Sequence, residues 1–149
     1  MDAIDRKILR VLQTDARASL QQIGQQVGLS TSPCWERIKK MEQAGVIEGY
    51  TVRLNAQALD LSDTVLVQVT LDSHSDNTLE KFGETLAAIP EVIEAYLVSG
   101  EYDYLLRVAV KDTRDYERLL REQLYKIKGI RHSKSSFVLR TLKKADLPI

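Results

Sequence analysis

Two different spacings of apolar residues divide the chain. Up to about Gly49 the spacing is helical. Ile4, Ile8, Leu9 and Leu12 share one face, and Leu20, Ile23 and Val27 share another. Asp2 or Asp5 stands at the start of the first run, where a carboxylate faces the positive helix end. TDARAS interrupts the pattern, and Gly28 stops the second run. Ser30 is a capping residue type for a third helix that runs to about Ala44, with Gly45 as terminator. Two short helices, a tight turn at Gly28 and a longer helix predict a helix-turn-helix. The stretch after Gly45, VIEGYTVRLN, is β-prone and predicts a small wing.

From about Thr64 the period becomes two. Val65, Val67, Val69 and Leu71 alternate with Leu66, Gln68, Thr70 and Asp72. A helix follows on Leu79, Phe82, Leu86 and Ile89, closed by Pro90. VIEAYLVS and YLLRVAV read as two strands around the turn SGEYD. A second helix carries Tyr116, Leu119, Leu120, Leu124 and Ile127 and ends at Gly129, and SSFVLRTL is the last strand. The order βαββαβ is ferredoxin-like, which makes the chain α+β. The expected division is 1–50, a connecting strand and linker over 51–63, 64–142, and a tail over 143–149. Two helices cover only one face of such a sheet. Leu105 and Ala109 lie on the other face, where a second copy would cover the apolar patch. The alternative is that the N-terminal helices fold back over it.

Composition changes the picture only by exclusion. The 149 residues carry 21 basic and 21 acidic side chains, enough charge for a soluble globular chain and no net pull toward nucleic acid. No apolar run approaches the roughly 18 residues a membrane span requires. MDAIDRKILR lacks a secretion pattern, and one cysteine forms no internal disulfide, so a cytoplasmic location is expected. His74 and His132 have no metal-ligand spacing, and no metal or cofactor is expected. No nucleophile-base pair, carboxylate pair or phosphate loop marks an enzyme.

On a wheel of about 100° per residue, Cys34, Ile38 and Met41 of the third helix face the core. Ser32, Glu36, Lys39, Lys40 and Gln43 face away, with Trp35 at the edge. Pro33 sits in the first turn, where its missing N–H costs nothing. Thr31 and Ser32 offer hydroxyls and N–H groups to a phosphate. The plain reading of this face is a solvated helix with Glu36 near Lys39 or Lys40. Residues 1–50 hold seven basic and six acidic side chains. A DNA reader so weakly basic needs several linked copies. Gly100 in SGEYDY suggests a tight turn, which by itself is an ordinary hairpin.

The segments IDRKILRVLQTDAR, IGQQVGLSTSPCWERIKKMEQAGVIEGY and VSGEYDYLLRV, in this order, resemble the Lrp/AsnC (feast/famine) transcription regulators over nearly the whole chain. The resemblance implies a winged helix-turn-helix followed by a ferredoxin-like effector and oligomerisation domain. It implies binding of double-stranded DNA, control of amino-acid metabolism genes, and dimers that assemble into octamers or related rings. The third helix is then the recognition helix. Ser30 caps it, and Thr31, Ser32, Trp35, Glu36, Lys39 and Lys40 face DNA. Gln21 and Gln22 touch phosphates. Arg37, on the flank, meets a phosphate or pairs within the domain. The resemblance also implies an amino-acid effector held at Gly100, Glu101, Tyr102 and Asp103, with Asp103 pairing its ammonium group. Ser133, Ser135 and Ser136 of the neighbouring subunit would close that site, with Lys134 and His132 nearby. The competing reading is a ligand-binding or protein-interaction module whose N-terminal half does not bind DNA.

Overall fold

The structure is a computed structural model and describes residues 1–73 and 76–149. His74 lies outside the described residues. The chain forms two compact units, 1–54 with 143–149, and 55–142.

The first unit contains α1 (Ala3–Thr14), α2 (Leu20–Val27) and α3 (Thr31–Gln43). α1 starts in a reciprocal capping box. The Asp2 carboxylate accepts from the Ile4 and Asp5 N–H groups, and Asp5 accepts from the Asp2 N–H. α2 repeats the device with Ser19 and Gln22. Gly28 ends α2 in the left-handed region at φ 77°, where glycine carries no Cβ penalty. The core is small: Ile8, Leu9, Ile23, Val27, Cys34, Ile38 and Met41. The expected wing is not formed as a β-ladder. Among the described residues no strand lies between α3 and Asp63, and Val52 and Leu54 are exposed. A two-stranded ribbon is marginal without a face to pack on.

The second unit contains β1 (Asp63–Leu71), α4 (Asp76–Ala87), β2 (Val92–Leu97), β3 (Tyr104–Val110), α5 (Thr113–Glu122) and β4 (Ile130–Phe137). The sheet is antiparallel, in the order β2-β3-β1-β4. Val65, Val67, Val69 and Leu71 pack with Leu106, Val108, Val110, Phe82, Leu86 and Leu119 in one core. This is the alternation the sequence predicts. Two boundaries differ. α5 stops at Glu122, and Leu124 and Ile127 reach the core through a short 3₁₀ turn (Leu124–Lys126). The spacing of these apolar residues suits either helix type. The last strand starts five residues earlier than SSFVLRTL implies and ends at Phe137. Its partner sets the register, pairing Ser133 with Val69 and Phe137 with Val65. As an edge strand β4 tolerates polar residues, so it lacks the apolar alternation of β1.

Gly24 makes the closest approach in the helix-turn-helix. A Cβ there would lie 2.4 Å from the Leu29 carbonyl oxygen. That oxygen belongs to the backbone and cannot swing aside. Gly24→Ala is expected to destabilise the first unit by about 1–3 kcal/mol, the usual cost of overpacking. Urea unfolding followed by Trp35 fluorescence measures it, and an unchanged midpoint would contradict the close approach.

Candidate functional site

α3 has two faces. Cys34, Ile38 and Met41 are buried, while Ser32, Trp35, Glu36, Lys39, Lys40 and Gln43 are exposed, Trp35 by 53%. Thr31 joins them at the first turn. Burial pushes the Cys34 thiol up, against the opposing charge of Arg37, so the sulfur stays protonated and serves packing.

The ends of the three helices differ. α1 and α2 close their N-termini with their own side chains. Ser30 occupies the cap position of α3 with extended backbone, yet its side chain makes no cap hydrogen bond. The expected capping role of its hydroxyl is therefore corrected. α3 also has no acidic residue in its first turn. Its first N–H groups carry the positive helix end with no protein side chain answering it.

Two expected DNA contacts have work inside the domain. Arg37 Nη1 donates to Asp2 Oδ2 and Asp5 Oδ1, both at 2.7 Å. Of the two alternatives for Arg37, the structure shows the pair within the domain. Gln22 uses its side-chain oxygen to accept the Ser19 N–H at 2.7 Å. Only its amide nitrogen points to a partner role outside the cap. Gln21 is exposed beside it.

The turn after β2 places Gly100 at φ 133°, where an L side chain is strained although space is open around it. Glu101 is exposed, and Tyr102 and Asp103 are half-buried. Asp103 knots the turn to the end of β1. Its N–H donates to the Val69 oxygen at 2.9 Å, and its Oδ2 accepts the Leu71 N–H at 2.7 Å. Its carbonyl accepts the Val98 N–H. Any ligand ammonium would share a carboxylate that already holds the fold.

The three serines do not form one cluster. Pleating sends alternate residues to opposite faces. Ser133 and Ser135 share the helix-covered face, where Ser135 Oγ lies 2.5 Å from the Tyr116 hydroxyl. Ser136 is on the other face with Lys134 and His132. It lines an open hollow of about 650 Å³ with Leu66, Phe137 and Arg140. Register brings Ser133 nearest the turn. Tyr104, Val69 and Ser133 form one row across β3, β1 and β4, about 10 Å from end to end at the usual strand spacing. Gly100–Asp103 lines neither this hollow nor a cleft of about 400 Å³ by Arg10, Asp15 and Gln25. Among the described residues no group of three or more His, Cys, Asp or Glu is placed to hold a metal, and no helix is long and apolar enough to cross a membrane.

Sequence reasoning missed the Ser19–Gln22 cap, whose S-x-x-Q pattern announces it. It also missed the contacts of residues 143–149, which no local pattern reveals.

Residues 1–42 match the AsnC-type helix-turn-helix domain, and residues 64–148 match the Lrp/AsnC ligand binding domain. The leucine-responsive regulatory protein of Klebsiella pneumoniae is 38% identical over 146 residues, 98% of this chain and 89% of that protein. An AsnC family transcriptional regulator from Agrobacterium tumefaciens is 42% identical with a TM-score of 0.95, covering 99% of this chain and 97% of that one. A transcriptional regulator from Neisseria meningitidis, solved with L-Met, is 31% identical with a TM-score of 0.93, covering 99% and 96%. The feast or famine regulatory protein from M. tuberculosis complexed with L-methionine is 31% identical with a TM-score of 0.87, covering 99% and 98%.

The Arg37 cluster has a pH signature. The Asp5 N–H, and then the Arg37 guanidinium, hold Asp2 down at about 2, below its ordinary 3.8. The Asp2 N–H, with Arg37 assisting, also lowers Asp5. Both carboxylates bind protons less readily folded than unfolded. Their stabilisation is present above about pH 4 and is lost as pH falls toward about 2. Arg37→Gln is expected to lower stability at pH 7 and to make its decline between pH 4 and pH 2 shallower. Urea unfolding at a series of pH values measures both, and a decline as steep as the wild type's would contradict the pair.

Proposed function

Because this chain belongs to the Lrp/AsnC family of DNA-binding transcription regulators, and is no enzyme, we propose that α3 is its DNA-reading helix and that the Gly100–Asp103 turn receives an amino-acid effector. The observation that carries the first part is the state of α3. Its N-terminus lacks a side-chain cap, its inner face is buried, and its outer face presents Ser32, Trp35, Glu36, Lys39 and Lys40 to solvent. Phosphates meet the open N–H groups and the lysines, and the side chains between them meet base edges. Gln21 and the nitrogen of Gln22 reach backbone phosphate from the preceding helix. Arg37 holds α3 in place from behind.

Two relatives are described with L-methionine, and others are named for leucine. They support an amino acid with an apolar side chain as the effector, and amino-acid metabolism genes as the targets. Main-chain N–H groups around Gly100 receive its carboxylate, and Asp103 receives its ammonium group. Ser133 closes the site from a neighbouring subunit. Ser135 and Ser136, set on opposite faces, line its approaches. Leu66, Leu105 and Ala109 lie on the sheet face opposite the helices, as does Tyr96, which is half exposed. That face, which also carries the Arg107–Glu94 ion pair, supports a homodimer built sheet against sheet, assembling further into an octamer or related ring. An effector bound between dimers shifts the equilibrium among assemblies it binds unequally, and with it the number of α3 helices that engage DNA together.

Lys39→Ala is expected to weaken binding to duplex DNA and to lower the slope of log affinity against log salt by about 1. Titration by fluorescence anisotropy at several salt concentrations reads this, and an unchanged slope with unchanged affinity would remove Lys39 from the interface. Asp103→Asn keeps the acceptor for the Leu71 N–H and removes the charge. It is expected to abolish the response to L-methionine and L-leucine while leaving basal DNA affinity within about twofold. An intact response in this variant, read by light scattering and anisotropy, would contradict the ammonium role.

A further inference from the structure

The chain beyond β4 is not a loose tail. Residues 143–149 belong to the compact unit of the three N-terminal helices. Arg10 of α1 donates from Nε to the Ile149 main-chain oxygen at 2.8 Å. Gln13, on the next turn of the same face, donates from Nε2 to the Leu147 oxygen at 3.1 Å. Asp146 forms an ion pair with Arg53. Ile149 packs, partly buried, against the core cluster of the first unit.

The local sequence suits this contact. Pro148 fixes its own φ near −65° and biases Leu147 toward extended backbone. Alternation along an extended segment lets Leu147 and Ile149 offer their oxygens to α1 while Asp146 turns to Arg53. The exposed α3 residues take no part in these contacts, so the segment holds the unit without covering its reading face.

We propose that Lys143–Ile149 is a tether through which the ligand-binding unit restrains the DNA-reading unit. The proposal rests on the function given above. The chain leaves the first unit at Leu54 and re-enters it at Lys143. The first unit is therefore joined to the second by two connections. Arg53 and Asp146 pin the outgoing and returning chain to each other. Each exposed contact is weak alone, but covalent linkage keeps the segment at high effective concentration. Such a contact is populated at rest and released at low cost. An effector that favours one assembly can then act on the freedom of the reading helix.

The test uses the full chain. Ile149→Asp removes the apolar anchor. Asp146→Arg reverses the ion pair, and Arg53→Asp with Asp146→Arg restores it in swapped form. Duplexes selected by the wild type from a random library supply one half-site or two. The two single variants are expected to exchange α1 amides about tenfold faster. They are expected to bind one half-site within about twofold of the wild type, and to lose about fivefold or more of the two-site preference and its response to L-methionine. The swap is expected to recover the exchange rates and the preference. Unchanged α1 exchange in both single variants would overturn the docking. Faster exchange with intact two-site preference and response would overturn the tether. A wild type that selects no duplex from the library would contradict the DNA-reading function instead, and the exchange rates would still decide the docking.

Discussion

The first unit has too small a core to hold itself by apolar burial alone. Three helices share seven buried side chains, the largest of them Ile8, Leu9, Ile23, Ile38 and Met41. Units of this size bury a modest fraction of their surface and are marginal. Polar clamps supplement the core at the starts of α1 and α2, between α3 and α1, and where the chain returns. Two capping boxes start α1 and α2, Arg37 ties α3 to the start of α1, and residues 143–149 lie along α1. Each clamp is placed where it leaves the outer face of α3 uncovered. The helix is therefore divided by face: Cys34, Ile38 and Met41 are buried, Arg37 is tied to α1, and Ser32, Lys39 and Lys40 face solvent.

The second unit solves a different problem. Its central strand β1 pairs on both sides, with β3, which follows the Gly100–Asp103 turn, on one flank and β4, which carries Ser133, on the other. Asp103 lies where the β2–β3 turn meets the end of β1, and its carboxylate holds the Leu71 N–H. A ligand that pairs with this carboxylate acts directly on a contact that joins three strands. The candidate site thus lies at one end of the central strand, where Asp103 is hydrogen-bonded to the main chain of Val69 and Leu71.

Much of this was legible in the residues. Helical spacing in Ile4 through Met41 and alternation in Val65 through Leu71 locate the elements, because burial on one face imposes those periods. Gly28, Gly45, Gly100 and Gly129 mark turns, and each adopts positive φ. The buried face of α3 followed from a wheel. What did not follow depends on partners distant in the chain. Arg37 meets Asp2 across 35 positions, and Arg10 meets Ile149 across 139, and no local period encodes either. The apolar run SSFVLRTL misplaces β4, because an edge strand need not be apolar. The three serines looked like one cluster in the sequence and were divided by the pleat. The wing is a prediction of β propensity alone, which does not form a ladder where a packed face is missing.

The central claim is that the open N-terminus and outer face of α3 meet DNA. Hydrogen exchange on the full chain, with and without a duplex selected by the protein itself, tests it most directly. The account predicts slowed exchange at the amides of Thr31 and Ser32, in the first turn of α3, with the β1 amides unchanged. DNA binding that slows exchange elsewhere and leaves the first turn of α3 untouched would contradict it.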